Sequence, residues 1–126
     1  MLTNEYAGSG GDAMAYYFRK MGIGPLIGKR TWGGLVRSDP MPTLMDGGIV
    51  TAPPVGIWSE TGEWVAENKG VPPDIEVDQD PALVRAGSDP QLERAVGYLL
   101  DEMKKHPTPE YKRPPYSSYG GGSQPK

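Results

Sequence analysis

The sequence contains no cysteine and a single histidine, His106. The lack of thiols excludes disulfide bonds, thiolate zinc sites and a cysteine nucleophile, and one imidazole leaves little with which to build a metal site. We therefore expect no bound metal, and we predict no cofactor.

Long apolar runs and an excess of basic charge are also missing. No stretch approaches the roughly 20 apolar residues that span a bilayer, and the first five residues carry no basic-then-apolar signal. The net charge is −3 with both signs mixed along the chain, so nothing attracts a phosphate backbone. We predict a cytoplasmic protein that binds neither nucleic acid nor membrane.

Glycine and proline, by contrast, are abundant, with 18 and 14 of the 126 residues. This composition places much of the chain in loops and turns. The pattern predicts an α+β fold with a small β-rich core, a helix after a glycine-rich turn and a C-terminal helix. We divide the chain into a folded part, residues 1–105, and a Pro/Gly/Ser-rich tail, residues 106–126, which we predict to be disordered.

Two helices are predicted from the spacing of apolar residues. The first covers residues 10–21, and Gly22 is placed to end it in a left-handed conformation. The second begins at Pro90 behind the N-cap Asp89, continues to about Lys105 and has apolar residues on one face. We expect the second helix to pack at one edge of the core.

The segment between the helices is predicted to be β-rich, with three to five strands in the core. Residues 48–58, interrupted by Pro53 and Pro54, predict two short strands or one bent edge strand. The other expected features are a strand end at 1–6, a short strand at Leu26 and Ile27, a loop from Ser38 to Pro42, a hairpin turn at 59–62 and an antiparallel return strand at 63–67.

Ser9 lies in the small-residue turn Ala7-Gly8-Ser9-Gly10-Gly11-Asp12. A serine nucleophile needs a sharp turn that exposes its hydroxyl, small neighbours and backbone N–H donors for an oxyanion. This turn offers all three, and the amide of Gly10 is the first candidate donor. By pattern alone, however, an N-cap is the better interpretation, because Ser9 and Asp12 fit a Ser-x-x-acid capping box.

Three longer blocks extend this pattern, and they cover residues 4–12, 27–34 and 67–77. In order and spacing the chain resembles the tricorn and tail-specific serine protease family from about Leu2 to Leu100. The helix that begins after Asp89 is similar to the end of tail-specific protease domains. The resemblance implies that the chain is the C-terminal part of such a catalytic domain, hence an incomplete one.

The resemblance also implies a Ser-His-Ser-Glu site in which Ser9 matches the nucleophile and Glu67 matches the carboxylate. In the family, a Ser-His pair and a second oxyanion glycine precede the nucleophile, and we expect these parts to lie outside this chain. His106 matches no family position and is expected to be a solvated residue at a helix end. The lysine of the tail-specific branch corresponds to Gly34, so the tricorn branch is favoured, and Lys29 is a poor substitute.

Other residues are interpreted as structural. Asp12 is expected to cap the first helix, and Asp74 is expected to pin the loop at 71–77. The three tryptophans, Trp32, Trp58 and Trp64, could line a substrate cleft, but large aromatic residues on short strands are more often part of a core.

We predict a serine endopeptidase that cleaves peptides or oligopeptides through an acyl-enzyme. The resemblance implies a large homo-oligomer, with the missing upstream half of the domain as a partner. Two alternatives stay open, a catalytically inactive truncated fragment and a peptide-binding module that uses sheet-edge addition. Because no histidine base is expected within the chain, we predict weak or no activity for the chain alone.

Overall fold

The computed structural model describes residues 1–116 as a mixed arrangement of short strands and helices, which confirms the predicted fold class. In chain order the elements are β1 (Leu2–Thr3), α1 (Gly10–Lys20), β2 (Ile27–Gly28), β3 (Val36–Pro40), β4 (Thr51–Gly56), β5 (Ile75–Glu76), α2 (Pro81–Arg85) and α3 (Pro90–Lys105).

The strands form two separate sheets. The first is parallel with the order β1-β2-β5, so that Ile27 of the central strand lies beside Leu2 and Ile75. The second is the antiparallel pair β3-β4, whose register shifts between Arg37 and Asp39. A shift of this kind is typical of a β-bulge, which bends a strand and re-aims a side chain.

Three segments of the chain build the core. Its buried apolar residues are contributed by α1, by the segment 26–35 and by the segment 65–71, and they are Ala15, Leu26, Leu35, Val65, Ala66 and Val71. Phe18 and Tyr16 of α1 pack against this cluster. Glu67 lies in one of these segments and Ser9 directly precedes α1, so packing of the core supports the backbone at both residues.

Helix α1 confirms the first predicted helix, and its end has the expected geometry. Gly22 adopts a φ of 64°, and its N–H donates to the Arg19 carbonyl at 2.9 Å. A left-handed glycine of this kind satisfies carbonyls that the last helical turn leaves without partners. The chain can therefore turn back toward β2 directly after the helix.

Helix α3 confirms the second prediction. Asp89 accepts a hydrogen bond from the Leu92 amide at 3.0 Å, and Pro90 occupies the first helical position. The helix contacts β1 and β2. Beside it, a groove of about 500 Å³ separates Leu92, Val96 and Leu99 from the turn at residues 23–25.

Asp74 has the predicted structural role and joins three elements. Its Oδ2 accepts from the Leu26 amide at 2.7 Å, and its Oδ1 lies 3.0 Å from Arg19 Nη2. The Leu26 amide first, and then Arg19, lower the pKa of the Asp74 carboxyl below its ordinary value. The segment before β5 is thereby attached both to β2 and to α1.

Two predictions about the middle of the chain were wrong, and one helix was not predicted. The expected loop from Ser38 to Pro42 begins as strand β3, because β3 gains its partners from β4 and not from a local pattern. The expected return strand at 63–67 is reduced to one bridge between Trp58 and Trp64. The short helix α2, which Asp80 caps through the Ala82 amide, was not predicted.

The C-terminal tail is described only in part. Residues 107–116 adopt no helix or strand, and the predicted disorder of residues 106–126 falls partly on residues 117–126, which lie outside the described part of the chain. Among residues 1–116, α3 is the longest helix at 16 residues, and no helix has both the length and the apolar character to cross a bilayer.

Candidate active site

Ser9 occupies a strained turn between β1 and α1. Its φ of 49° and ψ of −104° are unusual, because a Cβ disfavours positive φ. The residue is exposed, and its side chain forms no cap hydrogen bond with α1. The capping-box interpretation is therefore wrong. A strained strand-to-helix turn that exposes a serine hydroxyl is typical of hydrolase nucleophiles.

Two of the three glycines around Ser9 are closely packed. A Cβ on Gly8 would approach the ring of Trp32 to 2.5 Å, and one on Gly11 would lie 3.0 Å from the Ala7 methyl group. A Cβ on Gly10 would meet nothing within 4 Å. One side of the turn is thus closely packed, while the side of Gly10 is open.

Asp12 does not cap α1, contrary to prediction. It is fully buried, and it binds the turn that follows β2. Its Oδ1 accepts hydrogen bonds from the Thr31 hydroxyl and, at 2.8 Å, from the Gly33 amide. Its Oδ2 accepts from the Gly34 amide at 3.1 Å. The residue is structural, as expected, but it joins two loops.

Glu67 lies in a second strained turn. Its amide donates to the Val65 carbonyl at 2.7 Å, which closes a three-residue turn around Ala66 at a φ of 57°. Asn68 follows with a φ of 58°. The Glu67 Oε2 accepts from the Leu35 amide at 2.6 Å. Hydrogen bonds therefore hold both the backbone and the side chain of the half-buried Glu67.

Ser9 and Glu67 line the same open cleft, of about 470 Å³. The other lining residues are Trp32, Gly34, Val36, Arg37 and Ser38. No hydrogen bond joins Ser9 to Glu67 in the described part of the chain. The two residues thus line one cleft without a direct hydrogen bond between them.

Four cleft residues differ from the sequence analysis. Val36, Arg37 and Ser38 were not singled out, since strand β3, to which they belong, has no sequence signal. The core interpretation of the tryptophans was wrong, because Trp32 is 69% exposed, Trp58 68% and Trp64 62%. Of these three, Trp32 lines the cleft.

The two candidate bases outside the family pattern lie elsewhere. Lys29 Nζ binds Glu76 at 2.7 Å and Asp78 at 2.8 Å, and the hydrogen bonds that it donates to Asp78 and then to Glu76 raise the Lys29 pKa above its ordinary value. His106 follows α3, where it is exposed, and its Nε2 is 3.9 Å from Glu102. Glu67 is the one carboxylate among the described cleft residues, and none of them is histidine or lysine.

No cluster of three or more His, Cys, Asp or Glu side chains among residues 1–116 has an arrangement that could hold a metal ion. The residues that line the cleft include one carboxylate, one guanidinium and two serine hydroxyls. The side-chain groups available there are therefore hydroxyl, carboxylate and guanidinium.

Comparison with known proteins identifies the family. The profile of Peptidase family S41 matches residues 1–77. The chain is 43% identical over 103 residues to the tricorn protease of Thermoplasma acidophilum, which is 82% of this chain and 10% of that protein. The chain therefore belongs to peptidase family S41. It spans about a tenth of the length of such curated relatives.

Solved structures lead to the same family. The crystal structure of the tricorn protease superimposes with a TM-score of 0.76 at 43% identity, over 82% of this chain and 10% of that one. The photosystem II D1 C-terminal processing protease superimposes with a TM-score of 0.52 at 25% identity, over 61% and 19% of the two chains. The resemblance to tricorn and tail-specific proteases is confirmed.

Proposed function

We propose that this chain carries the nucleophile of a serine endopeptidase, with Ser9 attacking the scissile carbonyl of a peptide. The observation that carries the proposal is the conformation of Ser9. Ser9 has a φ of 49° at the start of α1, its hydroxyl does not cap the helix, and the residue lines the cleft that Glu67 also lines. Backbone strain at a functional serine is a known way to expose a nucleophile.

Attack by Ser9 Oγ on the carbonyl carbon displaces the π electrons onto the carbonyl oxygen. The resulting oxyanion needs donors that are already in place. Gly10 begins α1, so its amide has no carbonyl within the helix to bind, and we assign it as one donor. The positive end of α1 favours the same developing charge.

Glu67 is assigned the role of an orienting carboxylate. The Leu35 amide fixes its Oε2, and its Oε1 receives no hydrogen bond from residues 1–116. In the proposed reaction Oε1 orients a serine and histidine relay that is supplied from outside this chain. The histidine takes the proton of Ser9, transfers it to the leaving amine, and then activates the water that hydrolyses the acyl-enzyme.

The proposed substrates are peptides or oligopeptides, and the proposed partners are the segment that supplies the Ser-His pair and further copies of the chain. One observation favours a second candidate function. Because none of the described cleft residues is histidine or lysine, the chain alone has no strong base beside Ser9. A catalytically silent piece of the same fold is therefore the alternative.

The two functions differ in a reconstitution assay. The full chain is mixed with a separately produced segment of the Thermoplasma acidophilum tricorn protease that precedes the matched region, and hydrolysis of a fluorogenic peptide is followed. We expect little turnover by the chain alone and clear turnover by the mixture. Ser9→Ala should abolish it, and Glu67→Gln should reduce it on the order of 10⁴-fold.

Ser59→Ala is the matched control, since Ser59 binds Thr61 in an exposed turn away from the cleft. It should leave turnover unchanged. Turnover that survives Ser9→Ala would overturn the assignment of the nucleophile. An inactive mixture in which a fluorophosphonate also fails to label Ser9 would favour the silent alternative.

A further inference from the structure

The turn after β2 connects the two carboxylates near the cleft through adjacent amides. Gly33 and Gly34 donate to Asp12 at 2.8 and 3.1 Å, and Leu35, the next residue, donates to Glu67 at 2.6 Å. Three consecutive N–H groups are therefore divided between a buried carboxylate on α1 and the carboxylate that lines the cleft.

Asp12 is tied closely to Ser9. It lies in the first turn of α1, three residues after Ser9. The amide of the next residue, Ala13, donates to the Ser9 carbonyl at 3.0 Å. Asp12 is fully buried, so water cannot replace a hydrogen bond that it loses. The position of Asp12 is therefore coupled to the position of the turn that contains Ser9.

The loop of Glu67 is attached to the same turn at two further points. The Asn68 amide donates to the Gly33 carbonyl at 2.7 Å, and the Val71 amide donates to the Thr31 hydroxyl at 2.7 Å. That hydroxyl in turn donates to Asp12. A Cβ on Gly33 would lie 2.4 Å from the Gly70 nitrogen, so the turn after β2 and the loop of Glu67 are in direct backbone contact.

An isosteric change at Asp12 should disturb this turn specifically. Each hydrogen-bond partner of the Asp12 carboxylate in the described chain donates to it, namely the Thr31 hydroxyl and the amides of Gly33 and Gly34. In Asp12→Asn the side-chain NH₂ faces at least one of these donors, which leaves a buried N–H or hydroxyl without an acceptor. The turn is then released next to the Leu35 amide.

We infer that Asp12 is a positioning residue for Glu67, acting through residues 33–35 to fix the separation between Glu67 and Ser9. Its importance for catalysis rests on the proposed function, whereas the mechanical coupling does not. Asp12 touches neither the cleft nor Glu67, so any effect on Glu67 must pass through the turn.

The test is amide hydrogen exchange, measured by NMR on the full 126-residue chain. In Asp12→Asn we expect the protection of the Leu35 amide to fall by at least about tenfold more than that of the most protected amides, which report global unfolding. Asp74→Asn is the matched control. It also removes a carboxylate that accepts a backbone amide, from Leu26, but it lies outside this turn.

Asp74→Asn should therefore lower the stability without a selective loss at Leu35. An equal loss at Leu35 in the two variants, or no loss beyond global unfolding in Asp12→Asn, would overturn the inference. In the reconstituted mixture we expect Asp12→Asn to lower kcat with KM retained. If the Leu35 amide loses protection selectively in Asp12→Asn but the reconstituted mixture shows no turnover, the coupling is supported and the proposed peptidase function is not.

Discussion

Ser9, Ala66 and Asn68 are the three non-glycine residues with positive φ in the described chain, and all three lie at or next to a candidate site residue. Each such conformation costs on the order of 1–3 kcal/mol and persists only where the surroundings impose it. Since Ala66 and Asn68 flank Glu67, both proposed active-site residues stand on strained backbone. Strain on both sides of the cleft indicates that the site geometry is imposed by the fold.

The strain at Ser9 can be measured by comparing two substitutions. Ser9→Gly removes the Cβ and relieves the positive φ, whereas Ser9→Ala keeps the Cβ and the strain. We expect the glycine variant to be the more stable of the two by about 1 kcal/mol in urea unfolding, after the greater chain entropy of glycine is subtracted. Both variants lose the nucleophile. Equal free energies of unfolding would contradict a strained Ser9.

At the scale of elements, α3 depends on its N-cap. Asp89 accepts from the Leu92 amide and from Gln79 Nε2, and the Leu92 amide first, then Gln79, lower the Asp89 pKa. Asp89→Ala should therefore lower the melting temperature, measured by circular dichroism, by roughly a few °C. Asp80→Ala removes the equivalent cap from the five-residue α2 and should have a smaller effect. A larger effect at Asp80 would contradict this ranking.

The helices could be predicted because their signals are local. Asp89, Pro90 and a periodic apolar face mark α3, and Gly22 marks the end of α1. Strand β3 could not be predicted, because Val-Arg-Ser-Asp-Pro has no apolar alternation and becomes a strand by pairing with β4. Similarly, the positive φ of Ser9 has no local signal, since the turn that imposes it is stabilised by Trp32 and by distant loops.

For the whole molecule, the lowered carboxyl pKa values imply a dependence of stability on acid. The folded-state pKa values of Asp74 and Asp89 lie below the unfolded ones, so these groups add stability above the ordinary carboxyl range, and this stability is lost as the pH falls through the folded values. We expect the urea concentration at the unfolding midpoint to decrease once the pH is lowered below about 4. Asp74→Asn should flatten this decline, and an unchanged slope would contradict the role of Asp74.

The parallel sheet has a consequence for how the chain reaches its native state. Thr3 and Lys29 are hydrogen-bonded across 26 residues, and Leu26 and Asp74 across 48 residues. The central strand thus gains its partners only when two long stretches of chain have closed, and loop closure of this kind slows folding. Helices α1 and α3 depend on local contacts and can form first. The sheet that supports Ser9 is therefore expected to assemble late, so the cleft is complete only at the end of folding.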